Sequence, residues 1–141
     1  MLRVGMLKSK RKLTVAAFII CMMFGLMGCS KYPSYFKTVL CVSNNVSDNA
    51  FINFSSFEGT KSFKLKCKNE KGGVLKYSAK ISEGTATVYY DYADQKEELF
   101  TIHAGESVED SLELPEKCTL YVILETNGKC KEGKFDFDIE Q

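Results

Sequence analysis

Between residues 61 and 68 every second side chain is apolar. Phe63, Leu65 and Cys67 alternate with Lys64, Lys66 and Lys68. Successive side chains of an extended strand point to opposite faces, so this period of two marks a half-buried strand. The pattern recurs along most of the chain beyond residue 37. Leu75, Tyr77, Ala79 and Ile81 share one side of residues 74–82. Phe135, Phe137 and Ile139 share one side of residues 134–140, with Asp136, Asp138 and Glu140 on the other. Residues 37–43, 50–54, 85–92, 98–103 and 107–114 are further expected strands. Residues 118–125 (CTLYVILE) are apolar on both faces, which fits a central strand. Turn residues separate the segments: Asn44-Asn45, the cluster at 69–73, Glu83-Gly84, Ala104-Gly105-Glu106 and Pro115. Asn127-Gly128 is a strong hairpin signal and is expected to join the last two strands. Short strands at regular spacing with no helix predict an all-β fold, a β-sandwich or jelly roll of about eight antiparallel strands.

The first 28 residues follow another logic. Residues 1–12 carry Arg3, Lys8, Lys10, Arg11 and Lys12 and no acid, and residues 13–27 are almost wholly apolar. As a helix this run spans about 22 Å, short of the ~30 Å of hydrocarbon in a bilayer. A basic start, a short apolar run and small residues at its end make a secretory signal, which is removed and takes no part in the fold. The run ends in Leu26-Met27-Gly28-Cys29, and the chain turns polar at once with Ser30 and Lys31.

Leu26-Met27-Gly28-Cys29 resembles the lipobox of bacterial lipoproteins, though Met27 stands where that family more often has a smaller residue. The resemblance covers the leader alone. It implies cleavage before Cys29 and a diacylglyceryl group on the Cys29 sulfur, a transfer that needs a thiol able to ionise. Acyl chains contribute about 0.8 kcal/mol per buried methylene, and two chains suffice for stable anchoring. The expected organisation is a signal peptide at 1–28, a lipidated tether at 29–36 lifting the domain off the membrane, and a β-sandwich at 37–141. The expected location is the extracytoplasmic face of the cell membrane.

The leader holds five of the nineteen basic residues and none of the eighteen acids, which leaves fourteen against eighteen in the mature chain. A mildly acidic domain repels phosphates, which argues against nucleic acid as a partner. Charge is also uneven. Residues 61–80 hold seven lysines and one acid; residues 83–116 hold ten acids and one lysine. Either the surface is polarised, or adjacent strands present outward charges that attract across the sheet.

The mature chain carries Cys41, Cys67, Cys118 and Cys130 besides Cys29. Four cysteines in an exported protein permit two disulfides in three connectivities. Cys67 and Cys118 sit on apolar strands and could equally be buried thiols, whereas Cys130 falls in a polar stretch and is expected to be exposed. No close Cys-x-x-Cys pair occurs and His103 is the single histidine, so no metal or other cofactor is expected.

Catalytic motifs are absent as well: no Gly-x-Ser-x-Gly, no Gly-rich phosphate loop, no His-Glu-x-x-His. Asp136 and Asp138 share a strand face, as a hydrolase pair or the solvated side of an outer strand would. Tyr89-Tyr90-Asp91-Tyr92 is the one stretch suited to binding, because tyrosine offers a flat apolar face and a hydroxyl. Tyr90 and Tyr92 should share one side and Tyr89 the other. The expectation is a non-enzymatic binding module for a protein or a glycan, with an accessory subunit of an envelope complex as the alternative and a hydrolase behind both.

Overall fold

Seven antiparallel strands make up the regular structure of residues 31–141, the part of the chain that the computed structural model describes. The expected leader and Cys29 lie outside the described residues. The strands are β1 (Tyr35–Asn45), β2 (Asn49–Cys67), β3 (Gly73–Lys80), β4 (Glu83–Asp91), β5 (Glu97–His103), β6 (Ser107–Leu114) and β7 (Cys118–Glu140). The all-β expectation holds, with seven strands in place of about eight.

Two pairs of expected strands are each one continuous strand. Residues 50–54 and all but the last of 61–68 belong to β2, and residues 118–125 and 134–140 belong to β7. Residues 55–60, which include the buried Phe57, stay in the strand because β1 pairs with them on one side and β7 pairs with Ser56, Phe57 and Thr60 on the other. The hairpin expected at Asn127-Gly128 is not formed. Between the pairs Phe57–Cys130 and Thr60–Glu125, β7 holds residues 126–129 against residues 58–59 of β2. The extra residues make a bulge, with Gly128 at φ 79°, so the chain continues in the same direction.

β2 and β7 run side by side and form the spine. Beyond β7 two strands succeed one another: β4 borders residues 121–131 and β3 borders residues 134–140. β5 extends the sheet past β4, β6 extends it past β3, and β1 flanks β2. The two halves then face each other. Tyr77 of β3 stacks on Phe100 of β5 with centroids 5.3 Å apart, and Phe63 of β2 meets Phe137 of β7 at 6.0 Å. Neither contact follows strand pairing, so the halves are the two layers of a sandwich, with the core between them.

The change of layer happens on one line. Leu40, Ser55 and Glu132 occupy successive strands between the pairs that flank them, and Leu40 and Glu132 both have φ 48°. The inward set changes parity there. In β2 it passes from Ala50, Ile52 and Phe54 to Phe57, Phe63, Leu65 and Cys67. In β7 it passes from Leu120, Val122, Leu124 and Cys130 to Phe135, Phe137 and Ile139. One residue out of the extended conformation rotates the alternation by a step, which lets a single strand serve both layers. Each left-handed non-glycine residue costs about 1 kcal/mol, which the packing on either side offsets. Gly133 next to the crease is required by contact: a Cβ there would lie 2.1 Å from the Phe54 ring.

The start of the domain also differs from expectation. The Tyr32 hydroxyl donates to Asp91 Oδ2 at 2.7 Å, its ring meets Tyr121 edge-on at 5.5 Å, and Ser34 bonds Ser62. β1 begins at Tyr35, and Phe36 stacks on Phe57 at 5.0 Å. Residues 32–36 therefore belong to the folded domain and are not a free tether. Their partners lie 21 to 89 residues away in sequence, which is why no local pattern reveals them.

Candidate functional site

β4 carries Tyr90, and Tyr92 follows its last residue. Ala86 and Val88 are fully inward, so the period of two brings Tyr90 to the same side. Tyr90 and Tyr92 stack with centroids 6.0 Å apart and planes 12° from parallel. Both are half-buried against the core. The Tyr90 hydroxyl donates to Glu97 Oε2 at 2.6 Å. That bond to a carboxylate, followed by burial and the negative charge of Glu97, pushes the Tyr90 phenol up to about 12. The folded chain thus favours the neutral phenol. Its stabilising contribution is complete below pH 10 and is lost as pH climbs through about 12. In a phenolate titration followed by ultraviolet absorbance, Tyr90 should be among the tyrosines that ionise late, and Glu97→Gln should bring it back towards 10.

Tyr92 lines an open cleft of about 510 Å³. Lys71, Gly72, Gly73 and Val74 line it together with Glu113, Leu114 and Pro115 of the neighbouring segment. The glycines let the backbone come close: a Cβ on Gly72, which has φ 89°, would overlap the Leu114 carbonyl oxygen at 1.8 Å. The cleft therefore combines an aromatic ring and two opposite charges.

Tyr89 points to the other side, as expected, and is covered. Lys96 Nζ sits 4.3 Å from its ring centroid and 5.9 Å from that of Tyr32, and bonds Glu125 at 2.8 Å. Asp91 beside it is 1% exposed and accepts hydrogen bonds from Tyr32 and from the Gln95 N–H. These roles for Tyr32, Lys96 and Tyr121 have no signature in the local sequence.

Asp136 and Asp138 do share an outer face, on β7 beside β3 and β6. They line a polar trough of about 420 Å³ with Lys76, Ser78 and Asp110. Asp138 accepts from the Asn49 amide at 3.3 Å, and Lys134 lies 4.0 Å from Asp136. No group of three or more metal-ligating side chains occurs among the described residues. The uneven charge partly resolves into cross-strand pairs, with Lys76 on Glu140 at 2.9 Å and Lys131 on Glu83 at 3.6 Å. These pairs are exposed, and each contributes about 0–1 kcal/mol.

The four described cysteines do not group as two pairs. Cys67 lies directly opposite Cys118 in the β2–β7 register, and its thiol points to the Asn69 carbonyl at 4.0 Å. Cys41 faces Phe54 and Cys130 faces Phe57. Cys130 is fully buried, contrary to expectation, and its thiol donates to the Thr85 carbonyl at 3.4 Å. Its position continues the inward parity of Leu120, Val122 and Leu124 through the bulge.

No family model and no curated protein matches the chain. Among solved structures, it overlaps a family 29 carbohydrate-binding module at 20% identity, covering 77% of this chain and 75% of that one, with a TM-score of 0.40. A CBM29-2 mutant complexed with mannohexaose overlaps at 18% identity over 77% of each chain, with a TM-score of 0.41. The pre-peptidase C-terminal domain of a collagenase from Bacillus anthracis overlaps at 15% identity, 69% of this chain and 93% of that chain, with a TM-score of 0.47. At such scores the sandwich rests on the pairing and packing of this chain itself.

Proposed function

We propose that this chain is an extracytoplasmic lipoprotein, anchored through Cys29, whose β-sandwich binds an oligosaccharide by non-covalent contact at the Tyr92 cleft. The observation that carries the binding reading is the placement of Tyr92, supported from behind by the parallel Tyr90 ring and open to solvent on a cleft. A ring fixed in this way loses little freedom when a sugar ring lies on it. Lys71 and Glu113 offer a donor and an acceptor for hydroxyl groups. The anchoring reading is supported by the lipobox at residues 26–29.

An array of oligosaccharides should yield a ligand for the purified protein. Tyr92→Ala should weaken that ligand at least tenfold, about 1.4 kcal/mol, in calorimetric titration. Unchanged affinity, or an array without any ligand, overturns the binding reading. Radiolabelled palmitate should enter the intact protein and not Cys29→Ala; equal labelling removes the anchor.

A further inference from the structure

β1 is an edge strand of the sheet and carries several exposed apolar side chains. Tyr35 is 68% exposed, Leu40 82% and Val42 62%, and Phe36, Val39 and Val46 are exposed too. Every exposed large apolar side chain among the described residues lies on β1 or just after it. Edge strands of soluble domains ordinarily carry charges or prolines that discourage contact. β1 has Lys37 alone, so its surface is built for an apolar neighbour. The crease strengthens this, because the left-handed Leu40 turns the most exposed apolar side chain of the domain outward.

The chain before β1 says what that neighbour is. Tyr32 is held to the domain by Asp91 and Tyr121. Three peptide units separate it from Cys29, and they reach about 10 Å at full extension. A domain held by acyl chains on Cys29 is therefore kept at the headgroups, and β1 is the first element after the anchor. Tyrosine, phenylalanine and aliphatic side chains beside lysine suit the headgroup–acyl boundary. Lys37 and Lys61, the latter 5.4 Å above the Phe36 ring, supply cations for anionic headgroups.

We propose that the β1 edge, from Tyr35 to Val46, rests in the interface of the lipid bilayer when Cys29 is acylated. This rests on the anchoring reading above and adds an orientation to it. The lipid contact occupies β1, whereas the Tyr92 cleft is lined by residues of β3 and β6, the turn before β3 and the residue after β4.

The chain contains no tryptophan, so a single introduced one reports its own surroundings. Lipidated full-length Leu40→Trp is placed in vesicles of phosphatidylglycerol and phosphatidylethanolamine brominated on the acyl chains. Its emission should be quenched at least twofold more than that of Ala104→Trp, which sits on the exposed β5–β6 turn. Val42→Trp should follow Leu40→Trp, which guards against a local disturbance at residue 40. Palmitate incorporation is measured on the same samples. Equal quenching at positions 40 and 104 in acylated protein overturns the orientation alone. Cross-linking of unquenched protein through β1 also overturns it and makes a second copy the neighbour. Protein without palmitate overturns the anchor and the orientation with it.

Discussion

Oxidation of the folded protein should join Cys67 to Cys118 and leave Cys41 and Cys130 as thiols. Cys67 and Cys118 face each other in register, at the last residue of β2 and the first of β7. Cys41 and Cys130 lie on strands separated by β2, a span of about 9.6 Å from two strand spacings alone, beyond the ~7 Å a disulfide can bridge. In the reaction two thiols give up two electrons and two protons to a disulfide oxidant such as oxidised glutathione, which leaves as two thiols. The link closes a loop of about fifty residues, so chain entropy predicts about 4 kcal/mol of added stability. Burial, then the neighbouring Cys67, pushes the Cys118 thiol up, so exchange should quicken as pH rises. A mass loss of two hydrogens, a peptide map under non-reducing conditions and a higher denaturant midpoint would establish the link. An unchanged midpoint, or a bond to Cys41 or Cys130, would refute the assignment.

Phe57→Ala should cost about 3–5 kcal/mol, near the upper end for a single core truncation. Phe57 is fully buried just beyond the crease, between Phe36 at 5.0 Å and Phe54 at 5.2 Å. Phe54 in turn stacks on Phe135 at 6.2 Å, so one ring column links β1, β2 and β7. Neighbours held in such a column cannot collapse into the vacated space, which keeps the cavity term large. Urea unfolding of this variant should show a lower midpoint at an unchanged slope. A loss below 1 kcal/mol would mean that the column does not hold the crease.

Much of this architecture was legible in the pattern of side chains. The inward sets Phe63-Leu65-Cys67, Leu75-Tyr77-Ala79-Ile81 and Phe135-Phe137-Ile139 are the buried sets of β2, of β3 with the residue after it, and of β7. Period two reports a face, and that face is the same whatever the strand pairs with. It does not report length. Residues 55–60 and the Asn127-Gly128 pair read as breaks, yet both lie within strands flanked by partners on either side. Backbone pairing overrode local turn preference there, and the turn residues were taken up as a bulge. Cys130 followed: the residues around it are polar, but the continued parity of Leu120, Val122 and Leu124 set its burial.

The candidate site was half legible. Tyr90 and Tyr92 do share a side, and Tyr89 faces the other way. The cover over Tyr89, the depth of Asp91 and the cleft beside Tyr92 depend on Tyr32, Lys96 and the Gly72–Gly73 backbone. Long-range contacts of this kind leave no local periodicity to read.

β2 and β7 each donate one end to either layer, so the sandwich has no seam along which it could come apart into halves. A cut at the crease would give two fragments, each lacking the strands its own inner face needs. Heat or denaturant should therefore find one event to trigger, with both layers lost at the same midpoint, and the protein has no half-open form in which to pause.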